Sequence, residues 1–218
     1  MGAVRIPTDV DNAEVRVGSR DVRVTTLRKP FWPDRGITKG DLIQYYADVS
    51  PLLLPHIRDR AMVMKRYPHG AGGEFFFMKR APVPRPEWIR TCAIHHGSGN
   101  VIDFPVIDDV ASLLWVINLG CIDLNQWYAR CDDVNTPDYV HFDLDPGEAP
   151  FQRVRECGLI VREALDEGLD GLVRVHGLGA ARGQRRGVAA AHARAGGAGE
   201  LRELRVELAR SEEHTSEL

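Results

Sequence analysis

The sequence predicts an α+β fold, with mixed or antiparallel sheets and flanking helices. Three observations carry that expectation. Short runs of alternating apolar and polar residues recur between turn signals, the pattern of strands with one covered face. Other segments repeat their apolar residues at intervals of three and four, the period of an amphipathic helix. Strand and helix patterns do not alternate regularly, as a doubly wound parallel sheet would require. The 218 residues are enough for one sizeable domain. A hydrophobic content of 44% and a charged content of 27% are those of a water-soluble globular chain.

Residues 15–26 (VRVGSRDVRVTT) alternate on either side of a Gly-Ser turn and predict a short hairpin. The turn-rich connection PFWPDRG follows at 30–36. Thr38 and Asp41 have the spacing of a capping box, with Asp in place of the usual Glu, and should open a helix. Its inward stripe is expected to be Leu42, Tyr45, Tyr46, Val49, Leu52 and Leu53, with Pro51 and Pro55 limiting or kinking its far end. Strands are predicted at 61–67 and 74–79, joined by the turn PHGAGG, and again at 101–107. A short helix over about 110–119 leads into the segment 122–127. A strand over 139–144 ends in Asp145-Pro146-Gly147. A last helix, over about 151–167, should turn Val154, Cys157, Ile160, Val161 and Leu165 inward. The stretch 88–92 reads as ordinary structure, and Trp115 and Trp127 read as packing residues.

From residue 174 the composition changes. Ala, Gly and Arg supply 20 of the 26 positions from 174 to 199, and no period of 2 or 3.6 runs through the few large aliphatics. A GC-rich gene read out of frame yields such a composition, and the last nine residues, RSEEHTSEL, resemble a translated sequencing adapter. The expected organisation is therefore an N-terminal domain part over 1–173, followed by a frameshifted, disordered tail over 174–218. Residues 1–173 carry 20 basic and 25 acidic side chains, against a net charge of −3 for the whole chain. Such a chain has no uniformly basic surface, so a polyanionic partner would have to use a local patch. All four lysines, Lys29, Lys39, Lys65 and Lys79, fall in one early window.

No apolar run approaches the roughly 20 residues that span a bilayer, and residues 1–10 lack the pattern of a secretory signal. The expected location is cytoplasmic. Four widely spaced cysteines, with no C-x-x-C pair, argue against a zinc site and against a disulfide framework.

Three groups could carry chemistry. In HFDLDPG (141–147), Asp143 and Asp145 stand at alternate strand positions, where two carboxylates repel one another unless a proton or cation lies between them. A hard divalent ion with oxygen ligands suits that pair, and two such ions can orient the attacking and leaving oxygens of phosphoryl transfer. Acids of a turn before Pro-Gly account for the motif equally well, and His141 on the same face reads as a strand histidine. Lys29 and Lys39 flank a helix start, where a phosphate is favoured, although surface lysines need no ligand. The run Phe75-Phe76-Phe77, preceded by Lys65 and Arg66, offers aromatic rings for base stacking with cations beside them. Core packing explains the same rings, since adjacent strand residues face opposite ways and at least one is usually buried.

Together the blocks KPFWPDRGITKGDL (29–42), MKRYPHG (64–70), EFFFMKRAP (74–82), LLWVINLG (113–120) and PDYVHFDLDPG (137–147) resemble the polymerase domain of bacterial DNA ligase D. That family is a branch of the archaeo-eukaryotic primases, and the blocks run in family order over about 20–170. The resemblance implies a primase-polymerase fold, incomplete at the C-terminus. The implied activity is template-dependent nucleotidyl transfer, filling gaps and processing ends in bacterial non-homologous end joining. The implied cofactor is Mn²⁺ or Mg²⁺. The implied partners are DNA ends or gapped DNA with a 5′-phosphate, nucleoside triphosphates (ribonucleotides among them), Ku and a ligase module, in a cytoplasmic, nucleoid-associated setting.

By motif matching, Asp143 and Asp145 would be catalytic metal ligands, and Lys29 and Lys39 would grip the 5′-phosphate. Phe76 and Phe77 would contact template or nucleotide, and Asn125 would stand where many members have a triphosphate-binding histidine. Lys65 and Arg66 would add basic contacts. Thr26 replaces an asparagine common near the phosphate site. The family's phosphate loop should begin near 174, and its third catalytic acid has no match here, so the chain as given is expected to be inactive. Two other readings compete. One is a non-catalytic module that binds DNA 5′-phosphate ends. The other is a different D-x-D metal-dependent phosphoryl or glycosyl transferase, although a haloacid-type phosphatase would need D-x-D-x-T on an early strand.

Overall fold

The computed structural model describes residues 4–96, 99–138, 141–145, 147–166, 190–194 and 207–209. They fall into two units, 1–134 and 135–218.

The first unit begins with the predicted hairpin. Strands β1 (Ala13–Val17) and β2 (Arg20–Val24) pair antiparallel around Gly18, whose φ of 61° suits the tight turn. Their alternate residues Val15, Val17, Val22 and Val24 are buried. Strand β3 (Pro30–Trp32) and strand β4 (Ile37–Thr38) pair across a 3-10 turn at Pro33–Arg35. Helix α1 (Lys39–Ile57) follows, with the capping box in place: Thr38 accepts from the Asp41 amide and the Asp41 carboxylate accepts from the Thr38 amide. Both prolines lie inside α1. The carbonyl of Ala47, which Pro51 cannot serve, accepts instead from Ser50 Oγ at 2.7 Å.

The buried stripe of α1 differs from the expected one. It consists of Leu42, Ile43, Ser50, Leu54 and Ile57, with Tyr46, Ala47 and Leu53 packed beside it. Tyr45 and Leu52 are exposed, at 58% and 77%. Two adjacent apolar faces compete on this helix. The core takes the one carrying Ile43 and Leu54, while Tyr45 lines an open cleft of about 520 Å³ with Trp32, Leu42 and Tyr46.

Strand β5 (Met62–Arg66) is the centre of an antiparallel three-stranded sheet, between β6 (Phe76–Met78) and β9 (Cys121–Gln126). A second hairpin, β7 (Thr91–His95) and β8 (Val101–Pro105), lies before α2 (Val110–Asn118). Strand β7 was not anticipated, because TCAIH lacks a clean apolar alternation. Helix α2 is buried on every side from Ala111 to Ile117, the pattern of a central helix. Its N-cap is Asp109, which exchanges hydrogen bonds with Ser112. Trp115 joins this core and Trp127 packs against a smaller cluster around Phe104, as expected of packing residues.

In the second unit, β10 (His141–Asp145) pairs parallel with β11 (Ala190–Arg194), which pairs antiparallel with β12 (Glu207–Ala209). Helix α3 (Phe151–Asp166) packs on β10, with Gly158 close to Leu144. Cys157 and Val161 are buried as expected, whereas Ile160 and Leu165 are each 41% exposed. Within 174–218 only β11 and β12 are described, and the rest of that expected tail lies outside the described residues. All four cysteines are free thiols. Among the described residues no helix is long and apolar enough to cross a membrane.

Candidate functional site

The first cluster forms where the loop after β2 meets the start of α1. The amides of Lys39 and Gly40 donate to the carbonyls of Lys29 and Leu27, both at 2.8 Å, and the Asp41 amide is taken by Thr38. A side chain at Gly40 would meet the Leu27 carbonyl at 3.2 Å, a tight contact that glycine avoids. The free amides of the helix end are therefore used internally. The positive groups left beside this helix start are side chains.

Lys39 is the principal one. It is only 5% exposed, and its Nζ donates to the Thr25 carbonyl at 2.7 Å and to Thr26 Oγ1 at 3.3 Å. Burial, then the nearby charges of Lys29 and Arg66, bring its pKa down to about 8, against a weak opposing effect of Asp11. Lys29 Nζ is held by the Pro68 carbonyl, and Arg66 donates through Nε to the Leu119 carbonyl at 2.8 Å. Three cations thus converge with no carboxylate bonded to any of them among the described residues. Thr26, beside them, sits at φ 53°, a left-handed conformation that Asn tolerates far better than a β-branched residue.

The second cluster covers one end of the β6-β5-β9 sheet. Phe75, Phe76 and Phe77 are 51%, 43% and 56% exposed, so none of the three is a core residue. Pairing aligns Phe77 with Lys65 and Lys65 with Asp123 across the three strands. Lys65 Nζ lies 4.2 Å from the Phe75 ring centre, 5.5 Å from Tyr67 and 5.9 Å from Phe77. It also pairs with Asp123 at 3.3 Å, and the Tyr67 hydroxyl donates to the same Asp123 oxygen at 2.9 Å. Hydrogen bonding to Tyr67, then to Asp123, holds the Lys65 ammonium above its usual range. Arg66 lies 5.2 Å from the Phe76 ring. Asn125 is exposed on β9, its amide near the carbonyls of Val63 and Asp123.

Comparison with known proteins places the chain in a family. The family model described as LigD, primase-polymerase domain, matches residues 38–179. The chain belongs to that family. The multifunctional non-homologous end joining protein LigD of Mycolicibacterium smegmatis is 33% identical over 129 residues, covering 58% of this chain and 17% of that protein. The Mycobacterium bovis protein of the same name is 32% identical over 153 residues, covering 66% of this chain and 20% of that protein. The bifunctional LigD of Bacillus subtilis is 33% identical over 125 residues. A solved structure titled the polymerase domain from Mycobacterium tuberculosis ligase D in complex with DNA aligns with a TM-score of 0.48 at 28% identity. It covers 58% of this chain and 40% of that one. The chain spans about a fifth of the length of these curated relatives.

Membership in the LigD primase-polymerase family decides against the haloacid-type phosphatase and glycosyl-transfer readings of D-x-D. The structure brings Lys29, Lys39 and Arg66 into one group, and Lys65, Phe77 and Asn125 onto one sheet. Asp143 and Asp145 both stand on β10 in the second unit. Sequence reasoning missed Asp123; Phe75 and Tyr67 lie in the aromatic and basic group read from the sequence, but were not among its named contact residues. The register of β5 against β9 pairs Lys65 with Asp123, but that register depends on a bulge between Lys65 and Arg66 that the sequence does not announce.

Proposed function

We propose that the chain is part of a template-dependent nucleotidyltransferase of bacterial non-homologous end joining, and that its first unit holds the 5′-phosphate of a broken or gapped DNA. The observation that carries the phosphate reading is Lys39. A lysine whose pKa is brought to about 8 sits beside two further cations, so the fold maintains an unneutralised positive centre that an anion would relieve. A terminal phosphate is dianionic at pH 7 and above, and supplies three acceptor oxygens. Lys39 and Lys29 would bind it, with the Thr26 hydroxyl beside them.

Asp143 and Asp145 supply an oxygen-only donor pair at alternate positions of β10, the chemistry that Mn²⁺ or Mg²⁺ takes. In this proposal those two residues hold the metal, which when bound would stabilise charge on the reacting phosphates. Phe76, Phe77 and Asn125 contact template or nucleotide, with Lys65 and Arg66 close to the backbone. Ku, a ligase module and nucleoside triphosphates are the remaining partners of this reading.

Fluorescence anisotropy with gapped duplexes that differ only in the 5′ group tests it. The phosphorylated gap is expected to bind about 30-fold tighter, the worth of a charge-assisted contact. Asp143→Ala and Asp145→Ala should keep that preference while removing Mn²⁺ binding seen by electron paramagnetic resonance. Equal affinity for the two duplexes would refute the phosphate assignment.

A further inference from the structure

The exposed face of the β6-β5-β9 sheet carries a carboxylate where a nucleic-acid surface would be expected to avoid one. Asp123 is 46% exposed at its side chain, and one of its oxygens accepts from the Tyr67 hydroxyl and pairs with Lys65. Lys65 in turn lies over the Phe75 ring, which meets Phe77 edge to face at 5.8 Å between centres and meets Tyr67 at 5.6 Å. Removing Asp123 would release both the lysine and the tyrosine hydroxyl. The three rings would then lose the charged group that fixes their mutual angles.

We propose that Asp123 is a positioning residue: by holding Lys65 and Tyr67 it presets Phe75, Phe77 and Tyr67 as a stacking site for one unpaired nucleobase. This rests on the nucleic-acid reading above and adds to it Tyr67, Phe75 and Asp123. Three physical points support it. Phe75 and Phe77 keep more than half of their surface open, although a Lys and a Tyr are already packed against them. A contiguous exposed aromatic patch marks an interaction surface, and every base offers a π face. The Lys65–Asp123 pair makes the row across the three strands electrically neutral, so the site selects for a base in place of a phosphate. The cationic duty is left to the Lys39 cluster.

The consequence has two parts with opposite signs. In Asp123→Asn, Lys65 is free to reach a phosphate, so the salt dependence of binding should steepen by about one unit of log K against log salt. At the same time the rings lose their fixed arrangement and stacking should weaken. In Tyr67→Phe the ring stays and only the hydroxyl is lost, so stacking should weaken with no change in the salt slope.

The test uses the full chain and a gapped, 5′-phosphorylated duplex with 2-aminopurine at the unpaired template position. Wild type is expected to quench the probe. Asp123→Asn should lose at least half of the quenching and show the steeper salt slope, and Tyr67→Phe should lose quenching alone. Circular dichroism checks that each variant is folded, and Lys65→Met, which removes the cation while keeping the stem, should reduce quenching as Asp123→Asn does. Quenching and salt slope unchanged in Asp123→Asn would overturn the proposal, as would a wild type that binds the phosphorylated gap without quenching. A wild type indifferent to the 5′-phosphate would overturn the functional reading itself, and the positioning role with it.

Discussion

The lysine cluster at the start of α1 and the aromatic face of the β6-β5-β9 sheet are built by opposite means. Around Lys39 the main chain does the work: carbonyls of Thr25, Leu27 and Lys29 accept from the lysine or its helix, and the ammonium is buried among like charges. On the sheet, side chains hold one another, the rings are open to solvent, and the cation is neutralised by Asp123. The first region stores unfavourable electrostatics, and the second stores exposed apolar area. Only the first is a cost to the folded state, since the rings are open to water in the unfolded chain as well; in the proposed reading the two regions meet different parts of a nucleotide.

The sharpest way to break this contrast is Lys39→Met. It should erase the roughly 30-fold preference for a 5′-phosphate. It should also raise stability by about 1–2 kcal/mol in urea denaturation, because a shift from 10.5 to about 8 corresponds to about 3 kcal/mol of disfavoured charge, partly offset by the lost bond to Thr25. A variant that loses both binding and stability would mean that the lysine is structural. Changes on the aromatic face should show no such exchange.

A smaller effect follows from pH. The folded pKa of Lys39 lies below the unfolded value, so the cost of holding its charge is fully present below about pH 8. Between about 8 and 10.5 the unfolded chain binds more protons than the folded one, and stability contributed by this group rises with pH. Phosphate binding needs the charged form, so affinity for the phosphorylated gap should fall about tenfold between pH 7 and 9. Lys39→Arg should flatten that profile, since a guanidinium stays charged. Base stacking on the sheet, read by 2-aminopurine, should stay level over the same range.

The smallest expected effect is at Thr26. Its φ of 53° is strained for a β-branched residue, and Asn adopts that conformation readily. Thr26→Asn should stabilise the chain by about 0.5–1 kcal/mol, seen as a rise in Tm of a few degrees, while phosphate preference is retained.

How much of this was legible in the sequence follows from the range of the interactions. The Thr38–Asp41 capping box, the Gly18 hairpin and the strand bearing Asp143 and Asp145 are set by neighbours a few residues away, and all were readable. The burial of Lys39 depends on Leu27 and Lys29 folding back over the helix start, which no local pattern announces. The inward face of α1 was misassigned for a similar reason, since Tyr45 and Leu52 extend an apolar stripe that the core does not use. The three phenylalanines read most naturally as core, and only their exposure in the folded chain shows otherwise. The family resemblance pointed to Phe76 and Phe77, but not to the lysine–carboxylate pair beside them.

The glycines at 70 and 120 give the molecule a further property. A side chain at Gly70 would stand 3.0 Å from the Pro30 carbonyl, and one at Gly120 would stand 3.2 Å from the Tyr67 carbonyl. The Ala71 amide is bonded to Phe31, the Tyr67 amide to Gly120, and Lys29 to Pro68. The segment carrying Lys29 is thus bolted to the turn between β5 and β6 at main-chain distance, with the Phe31 ring filling the joint. A substrate gripped at both regions would be held in a rigid gauge. In the proposed reading, the span from end group to unpaired base would be set by the protein's own backbone.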